Sequence, residues 1–235
     1  LVLLYKECIY GTWYKLLLSM SRTYDYRCLN IGYCPITPPS WILWIRITTG
    51  TQLTLCLVLH LVCLMAELSK GGVALLWHKP IDQYVQTLHI DSDRLIAMKL
   101  CLSRLSIVVI QVYMPSANHS IQTFKDVIDK LSDTIAIYKE ERNIIVMGDI
   151  NVQFCSSNVY SVMSLDKTSQ EFANTHGLTV ITDAETCNGP AFTFIPYTDA
   201  SPTLIDHILT YDYVESLVQQ CSVLEDAPLN VSRHL

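Results

Sequence analysis

The sequence predicts a layered α/β fold, because continuous apolar strands alternate with two amphipathic helices. The runs GGVALLW and LSIVVIQVY are uninterrupted apolar stretches of strand length, as is typical of strands covered on both faces. Two segments between strand candidates carry helical periodicity and capping residues. A chain of 235 residues is long enough for one substantial core. Strands interleaved with helices indicate an α/β or mixed layered sandwich.

The first predicted helix is SIQTFKDVIDKLSDTIAIY, with Ser120 or Asn118 as its candidate N-cap. One apolar stripe runs along it at helical spacing, made of Ile121, Phe124, Ile128, Leu131 and Ile135. The second is TSQEFANTHG, which is predicted to begin with a capping box of Thr168 and Glu171 and to end at Gly177. The remaining strand candidates are LIAMKLC, NIIVM, LTVIT, AFTFI and LIDHILT.

Residues 1–66 lack a sustained period of two or 3.6, so no elements are predicted there. We expect an atypical N-terminal segment over 1–66 and an ordered, truncated domain over 67–235. The stretch from Trp41 to Met65 is the one membrane candidate, but Arg46 and TTGTQ interrupt it. A buried strand or helix is therefore favoured over a membrane span. The start at Leu1 and the stop at Leu235, just after the His motif, favour a partial or decayed copy of a longer protein. No signal-peptide pattern is present.

Composition excludes a disordered chain, since 50% of the residues are hydrophobic and 16% charged. A net charge of -6 gives no general attraction to nucleic acid, although a local basic strip would suffice for a nuclease. Nine cysteines without a C-x-x-C pair favour reduced thiols and an intracellular, nuclear or cytoplasmic location. Cys56, His60 and Cys63 lie in an apolar run, where packing is favoured over a zinc site.

Polar residues end two of the predicted strands. In NIIVMGDIN, Asp149 and Asn151 are two residues apart and would share a face of an extended strand. The carboxyl ends of strands are where ligand crevices form in open α/β sheets, but Gly, Asp and Asn also make ordinary turns. Asp206 and His207 in TLIDHILTYD could face a cleft or a solvated strand end. His234 in NVSRHL could be an exposed terminal residue.

The order of these pieces supplies context for them. VYMPS, VMGDIN, FTF, LIDHILT and SRHL together resemble the endonuclease/exonuclease/phosphatase superfamily. With GGVALLW and DSDRLIAMKL, the pattern looks more narrowly like the endonuclease domain of a non-LTR (LINE-like) retrotransposon. The resemblance covers about residues 71–235.

The resemblance implies a DNase-I-like, four-layered α/β sandwich, incomplete on its N-terminal side. It also implies a magnesium-dependent phosphodiesterase that acts on DNA without a small-molecule cofactor. Asp149 matches the residue that orients or deprotonates the attacking water, and Asn151 the residue that holds this Asp and the phosphate. Tyr113 matches the Tyr that reaches the phosphate. Asp206 matches the carboxylate that pairs with the motif His, and His234 matches that His. Metal ligands are left unassigned.

Two departures from the family pattern predict impaired activity. The motif His is normally preceded by Asp, but Arg233 stands there in SRHL. Met65 and Ala66 stand where the resemblance places Gln and the metal-binding Glu, and Glu67 fits only with a one-residue slip that reverses its face. The alternatives are a catalytically dead remnant with at most weak nucleic-acid binding, a small membrane-associated protein, or a phosphatase or phosphoinositide-directed hydrolase of the same superfamily.

Overall fold

The computed structural model describes residues 26–31, 42–48, 54–60, 73–102, 105–141, 143–154, 164–183, 187–196 and 200–223. The strands in chain order are β1 (Tyr26–Ile31), β2 (Ile42–Thr48), β3 (Thr54–His60), β4 (Val73–His78), β5 (Val85–Leu88), β6 (Leu95–Cys101), β7 (Ser106–Tyr113), β8 (Ile144–Asp149), β9 (Thr179–Val180), β10 (Cys187–Asn188), β11 (Asp206–Thr210) and β12 (Val218–Val223). The α-helices are α1 (Ile121–Tyr138), α2 (Ser164–His176) and α3 (Asp212–Glu215), and short 3-10 turns span Lys79–Tyr84, Lys139–Glu141 and Ile181–Asp183.

The strands form a six-stranded sheet in the order β5-β6-β7-β8-β11-β9, a four-stranded sheet in the order β10-β12-β2-β3, and the pair β1-β4. In the six-stranded sheet only β7 and β8 are parallel neighbours, and α1 connects them. The other four pairings are antiparallel. The sheet is therefore mixed, with its one crossover helix at the centre.

Both faces of the six-stranded sheet are covered. On β7, Ile107 and Val109 pack with residues of β4 and β12, whereas Val108 and Ile110 pack with residues of α1 and α2. All four side chains are fully buried. Coverage on both faces explains why these strands are continuous apolar runs rather than alternating ones. The predicted layered α/β sandwich is confirmed.

Helix α1 begins where the sequence predicted. The Ser120 hydroxyl caps it by accepting a hydrogen bond from the Thr123 N–H at 3.1 Å. The predicted stripe is buried from Phe124 onward, but Ile121 in the first turn is 40% exposed. The apolar contacts of the helix therefore start one turn later than its sequence pattern.

The capping box predicted for α2 is wrong, although its predicted end is right. The helix begins at Ser164, so Thr168 lies inside it. A tertiary contact stabilises this additional first turn, because Asp166 accepts a hydrogen bond from the Gln153 N–H at 3.2 Å. Gly177 follows the last helical residue with a φ of +65°, a conformation that Gly adopts without a Cβ penalty.

Two strand candidates form less sheet than predicted. LTVIT contributes only the two residues of β9, and a 3-10 turn follows at once. AFTFI makes a single bridge between Phe194 and Thr203. Pro190 and Pro196 flank this segment and cannot donate ladder hydrogen bonds, which limits its pairing.

Three strands lie in the N-terminal part, where the sequence predicted only a buried strand or helix between Trp41 and Met65. β1 pairs with β4, and β2 pairs with both β3 and β12. The membrane candidate from Trp41 to Met65 thus contains β2 and β3, and no helix within the described ranges is long and apolar enough to cross a membrane. Cys56 and His60 belong to β3, and Cys63 lies outside the described residues. The division of the chain at residues 66 and 67 stays a prediction.

Candidate active site

Three of the predicted site residues lie side by side across the six-stranded sheet. Tyr113 ends β7 and is the register partner of Asp149, which ends the parallel strand β8. Asp149 is in turn the register partner of Asp206, the first residue of the antiparallel strand β11. All three are therefore at the same edge of the sheet, and register partners present their side chains on the same face. The structure brings together residues that are far apart in sequence.

Asn151 adjoins this row through a tight corner rather than through an extended strand. Its φ is +57°, a left-handed conformation that Asn tolerates better than most residues. Its backbone N–H donates to Asp149 Oδ1 at 3.1 Å, and its side-chain Nδ2 donates to the Met114 carbonyl at 2.9 Å. The Ile205 carbonyl accepts from the Asn151 N–H at 3.2 Å and fastens the corner to the start of β11. Asn151 therefore contacts Asp149 by turning back on it, not by sharing a face.

Gly148 is required for close approach of β8 to β7. Its φ is +141°, which L side chains rarely adopt. A Cβ at this position would lie 1.9 Å from the Val112 carbonyl oxygen and 3.1 Å from Gln111 Nε2. The Gly of the Gly-Asp-x-Asn stretch therefore allows β8, which ends at Asp149, to pack closely against β7.

The two carboxylates of the row are buried together. Asp149 is 4% exposed and Asp206 is 0% exposed. Burial raises the pKa of Asp149 well above its usual range, and the adjacent Asp206 carboxylate raises it further. Hydrogen bonds from Asn151 oppose part of this shift in the Asp149 pKa. A carboxylate with a raised pKa accepts a proton more readily, which suits a general base.

Thr193 holds the start of β11 and was not singled out from the sequence. Its buried hydroxyl oxygen accepts from the N–H groups of Ile205 and Asp206, each at 3.2 Å. Thr193 is the central residue of FTF, a motif that carried the family resemblance. A hydroxyl in the middle of an apolar tripeptide was the available signal for such a role.

His207 is a structural residue in this fold. It is fully buried, and burial lowers the pKa of its imidazole. Its Nε2 lies 2.9 Å from the Val152 carbonyl, which can only accept, so Nε2 carries the hydrogen. Its Nδ1 then accepts from the Thr182 hydroxyl at 2.9 Å, and Phe154 packs edge-on against the ring. Both ring nitrogens are satisfied by the protein, so neither is available for a substrate.

Arg94 is the second residue that the sequence reasoning left without a role. Its Nη1 donates to the Tyr113 carbonyl at 3.2 Å, and its guanidinium carbon lies 5.2 Å from the Tyr113 ring centroid. These contacts place a cation at one end of the row. The stretch DSDRLIAMKL that contains it carries part of the family resemblance, but its pattern predicts no role for Arg94.

The remaining predicted residues are not described by the structure. His234 and Arg233 lie outside the described residues, as do Met65, Ala66 and Glu67. Within the described part, no group of three Asp, Glu, His or Cys side chains could hold a metal ion. The donor set that is described, Asp149 with Asp206, nevertheless fits Mg²⁺, which commonly uses one or two carboxylates together with water and substrate oxygens. A dication would also relieve the repulsion between the two buried carboxylates.

Comparisons with known proteins agree on the fold. The catalytic domain of human Nocturnin superimposes with a TM-score of 0.50 at 15% identity, over 96% of this chain and 74% of that one. A hairpin-deletion mutant of beta toxin from Staphylococcus aureus gives 0.50 at 14% identity, over 94% and 76%. The endonuclease domain of TRAS1, a telomere-specific non-LTR retrotransposon, gives 0.49 at 11% identity, over 86% and 81%. No family model and no curated protein matches the sequence.

The chain therefore has a DNase-I-like α/β fold, with a mixed central sheet between helices and further strands. The fold that the resemblance to the endonuclease/exonuclease/phosphatase superfamily implies is thereby confirmed.

Proposed function

We propose that this protein is a divalent-metal-dependent phosphodiesterase of the endonuclease/exonuclease/phosphatase type. The more specific proposal is a DNA endonuclease of retroelement origin with impaired activity, acting in the nucleus or cytoplasm. One observation carries it: Tyr113, Asp149 and Asp206 are register neighbours at one sheet edge, with Asn151 turned back onto Asp149. DNA is favoured over a lipid head group by the retrotransposon-like motifs GGVALLW and DSDRLIAMKL.

The described residues suit the attack of water on a phosphodiester. Asp149 would take a proton from the attacking water, because a carboxylate whose pKa is raised by burial is the stronger base. The Asn151 N–H holds the Asp149 carboxylate in one orientation. Tyr113 presents its ring at the same edge, where its hydroxyl would reach a phosphate oxygen. His234 would contact the phosphate and pair with Asp206, as the family resemblance implies.

Mg²⁺, when bound, would polarise a phosphate oxygen and neutralise developing charge. Of the described residues, Asp149 and Asp206 would supply carboxylate oxygens to it, with water and phosphate oxygens completing its ligands.

Impaired activity follows from the sequence around the site. Arg233 replaces a carboxylate beside the motif His with a fixed cation, which cannot bind a metal ion. The apparent loss of the metal-binding Glu near Met65 and Ala66 removes a second anionic ligand. Fewer carboxylates mean weaker Mg²⁺ binding, so we expect activity only at raised metal concentration.

The test is magnesium-dependent nicking of supercoiled plasmid by the folded chain. We expect slow nicking that is abolished by a chelator, by Asp149→Asn and by His234→Ala. Asp129→Asn, an exposed carboxylate on α1, is the matched control and should leave the rate unchanged. Nicking that survives Asp149→Asn would exclude Asp149 as the base.

A second candidate function is a catalytically dead remnant, which the Arg233 substitution favours. The substitution Arg233→Asp separates the two candidates, because restoring the carboxylate should tighten magnesium binding and raise the nicking rate. A folded wild-type chain that never nicks, together with an Arg233→Asp variant that does, would identify the wild type as the remnant. If neither the wild-type chain nor the Arg233→Asp variant nicks the plasmid, the proposal of an endonuclease is wrong.

A further inference from the structure

We propose that Arg94 forms a phosphate-binding position for a nucleic-acid strand, at the β6 end of the row formed by Tyr113, Asp149 and Asp206. This inference rests on the proposed function and adds to it a residue that holds the substrate backbone. Arg94 directly precedes β6, and the Tyr113 N–H donates to the Arg94 carbonyl at 2.9 Å. Since Leu95 pairs with Val112, Arg94 lies directly opposite Tyr113.

The row across the sheet edge is thus Arg94, which directly precedes β6, followed by Tyr113 on β7, Asp149 on β8 and Asp206 on β11. Cross-strand neighbours present their side chains on one face, with Cβ atoms about 5 Å apart. Arg94 is the neighbour of Tyr113 in this row, so a phosphate next to the one that Tyr113 reaches would lie near Arg94.

The Arg94 side chain is held in place by Tyr113. Its Nη1 donates to the Tyr113 carbonyl and its guanidinium carbon lies over the Tyr113 ring, and these two contacts use only one of the five guanidinium N–H donors. The Ser92 hydroxyl accepts from the Arg94 N–H at 3.1 Å, which fixes the backbone before the strand. Asp91 and Asp93 in the same loop are exposed, and among the described residues no carboxylate forms an ion pair with Arg94.

The Arg94 cation would offset the negative charge at this edge of the sheet. Asp149 and Asp206 are buried anions, and the whole chain has a net charge of -6. A phosphodiester approaching this edge meets repulsion unless a cation compensates. Guanidinium is the cation best matched to phosphate oxygens, because its planar donors can bind two oxygens at once.

The experiment measures binding to a short fluorescein-labelled DNA duplex by fluorescence anisotropy, in chelator, as salt is varied from about 50 to 200 mM. Arg94→Gln keeps a donor for the Tyr113 carbonyl but removes the charge, and should reduce the slope of log affinity against log salt by about 1. Arg94→Lys keeps the charge and should keep the slope. Lys125→Ala is the matched control, because Lys125 is exposed on α1, which packs on the opposite face of the sheet.

An unchanged slope in a folded Arg94→Gln variant would overturn the proposal, and so would an equal loss in Lys125→Ala or a wild-type chain that does not bind the duplex. Nicking is scored separately. A wild-type chain that nicks while Arg94→Gln keeps the wild-type slope refutes the Arg94 position and leaves the proposed function standing. A chain that binds through Arg94 but never nicks refutes the enzyme and supports the phosphate-binding position.

Discussion

Asp149 and Asp206 are register partners on antiparallel strands, and both carboxylates are buried at one edge of the sheet. Two like charges in this position destabilise the fold when both are ionised, because neither is well solvated. A fold that buries two carboxylates side by side is less stable, but the pair can accept a proton or bind a cation.

The substitution Asp149→Asn should stabilise the metal-free protein, and more so at high pH. Because the folded-state pKa of Asp149 is raised, the native state holds a proton that the unfolded state releases. The stability linked to that proton is present below the ordinary carboxyl pKa and is lost as pH rises through the folded-state pKa. We expect a gain of about 2 kcal/mol at pH 8 and little gain at pH 4, measured by urea unfolding in chelator. A gain of equal size at both pH values would contradict the buried-charge explanation.

The substitution Gly148→Ala should destabilise the fold severely. Its Cβ would lie 1.9 Å from the Val112 carbonyl oxygen, so β7 and β8 would have to separate. We expect a loss of about 3 kcal/mol or more in the free energy of unfolding. Gly177→Ala is the matched control, since Gly177 also has a positive φ but no atom lies within 4 Å of its Cβ position. That variant should lose only about 1 kcal/mol, and equal losses would show that backbone conformation alone decides.

The substitution Thr182→Val should weaken the buried His207 contact. Valine has nearly the shape of threonine but cannot donate to the His207 Nδ1, which would remain buried without a donor. We expect a loss of about 1–2 kcal/mol in chemical denaturation. Thr182→Ser keeps the hydroxyl and should recover most of that loss. If both variants lose the same amount, the methyl group rather than the hydrogen bond is what matters.

The substitution Gln111→Met should stabilise the protein. Gln111 is 1% exposed on β7, and among the described residues neither polar atom of its side chain has a hydrogen-bond partner. A buried amide without partners costs about 1–3 kcal/mol, and Met fills a similar volume without polar atoms. We expect the free energy of unfolding to rise by about 1 kcal/mol. Gln122→Met, at an exposed position of α1, should change it by less than about 0.5 kcal/mol. A less stable Gln111→Met variant would show that a bound water satisfies the amide.

Local signals in the sequence were sufficient for much of the fold. The apolar runs predicted β6, β7, β8 and β11, and helical periodicity with the Ser120 cap predicted α1. Such signals fail where an element depends on distant partners. β9 has only two residues because it pairs only with the end of β11, and no period in the sequence encodes that limit. The pairing of β2 with β12, near the other end of the chain, is likewise encoded by no local pattern, although β2 also pairs with its sequence neighbour β3.

The sequence by itself determined which residue types stand at the site and the order in which they occur. The tertiary structure alone decided that Tyr113, Asp149 and Asp206 are neighbours, because strand register depends on packing across the whole sheet. It also decided that His207 packs in the core while Asp206, its neighbour in sequence, faces the row, since successive strand residues point to opposite faces. Arg94 lies beside Tyr113 because of the register between β6 and β7. The residue types in the sequence indicate the chemistry of the site, but the long-range pairing of strands decides which residues are close together.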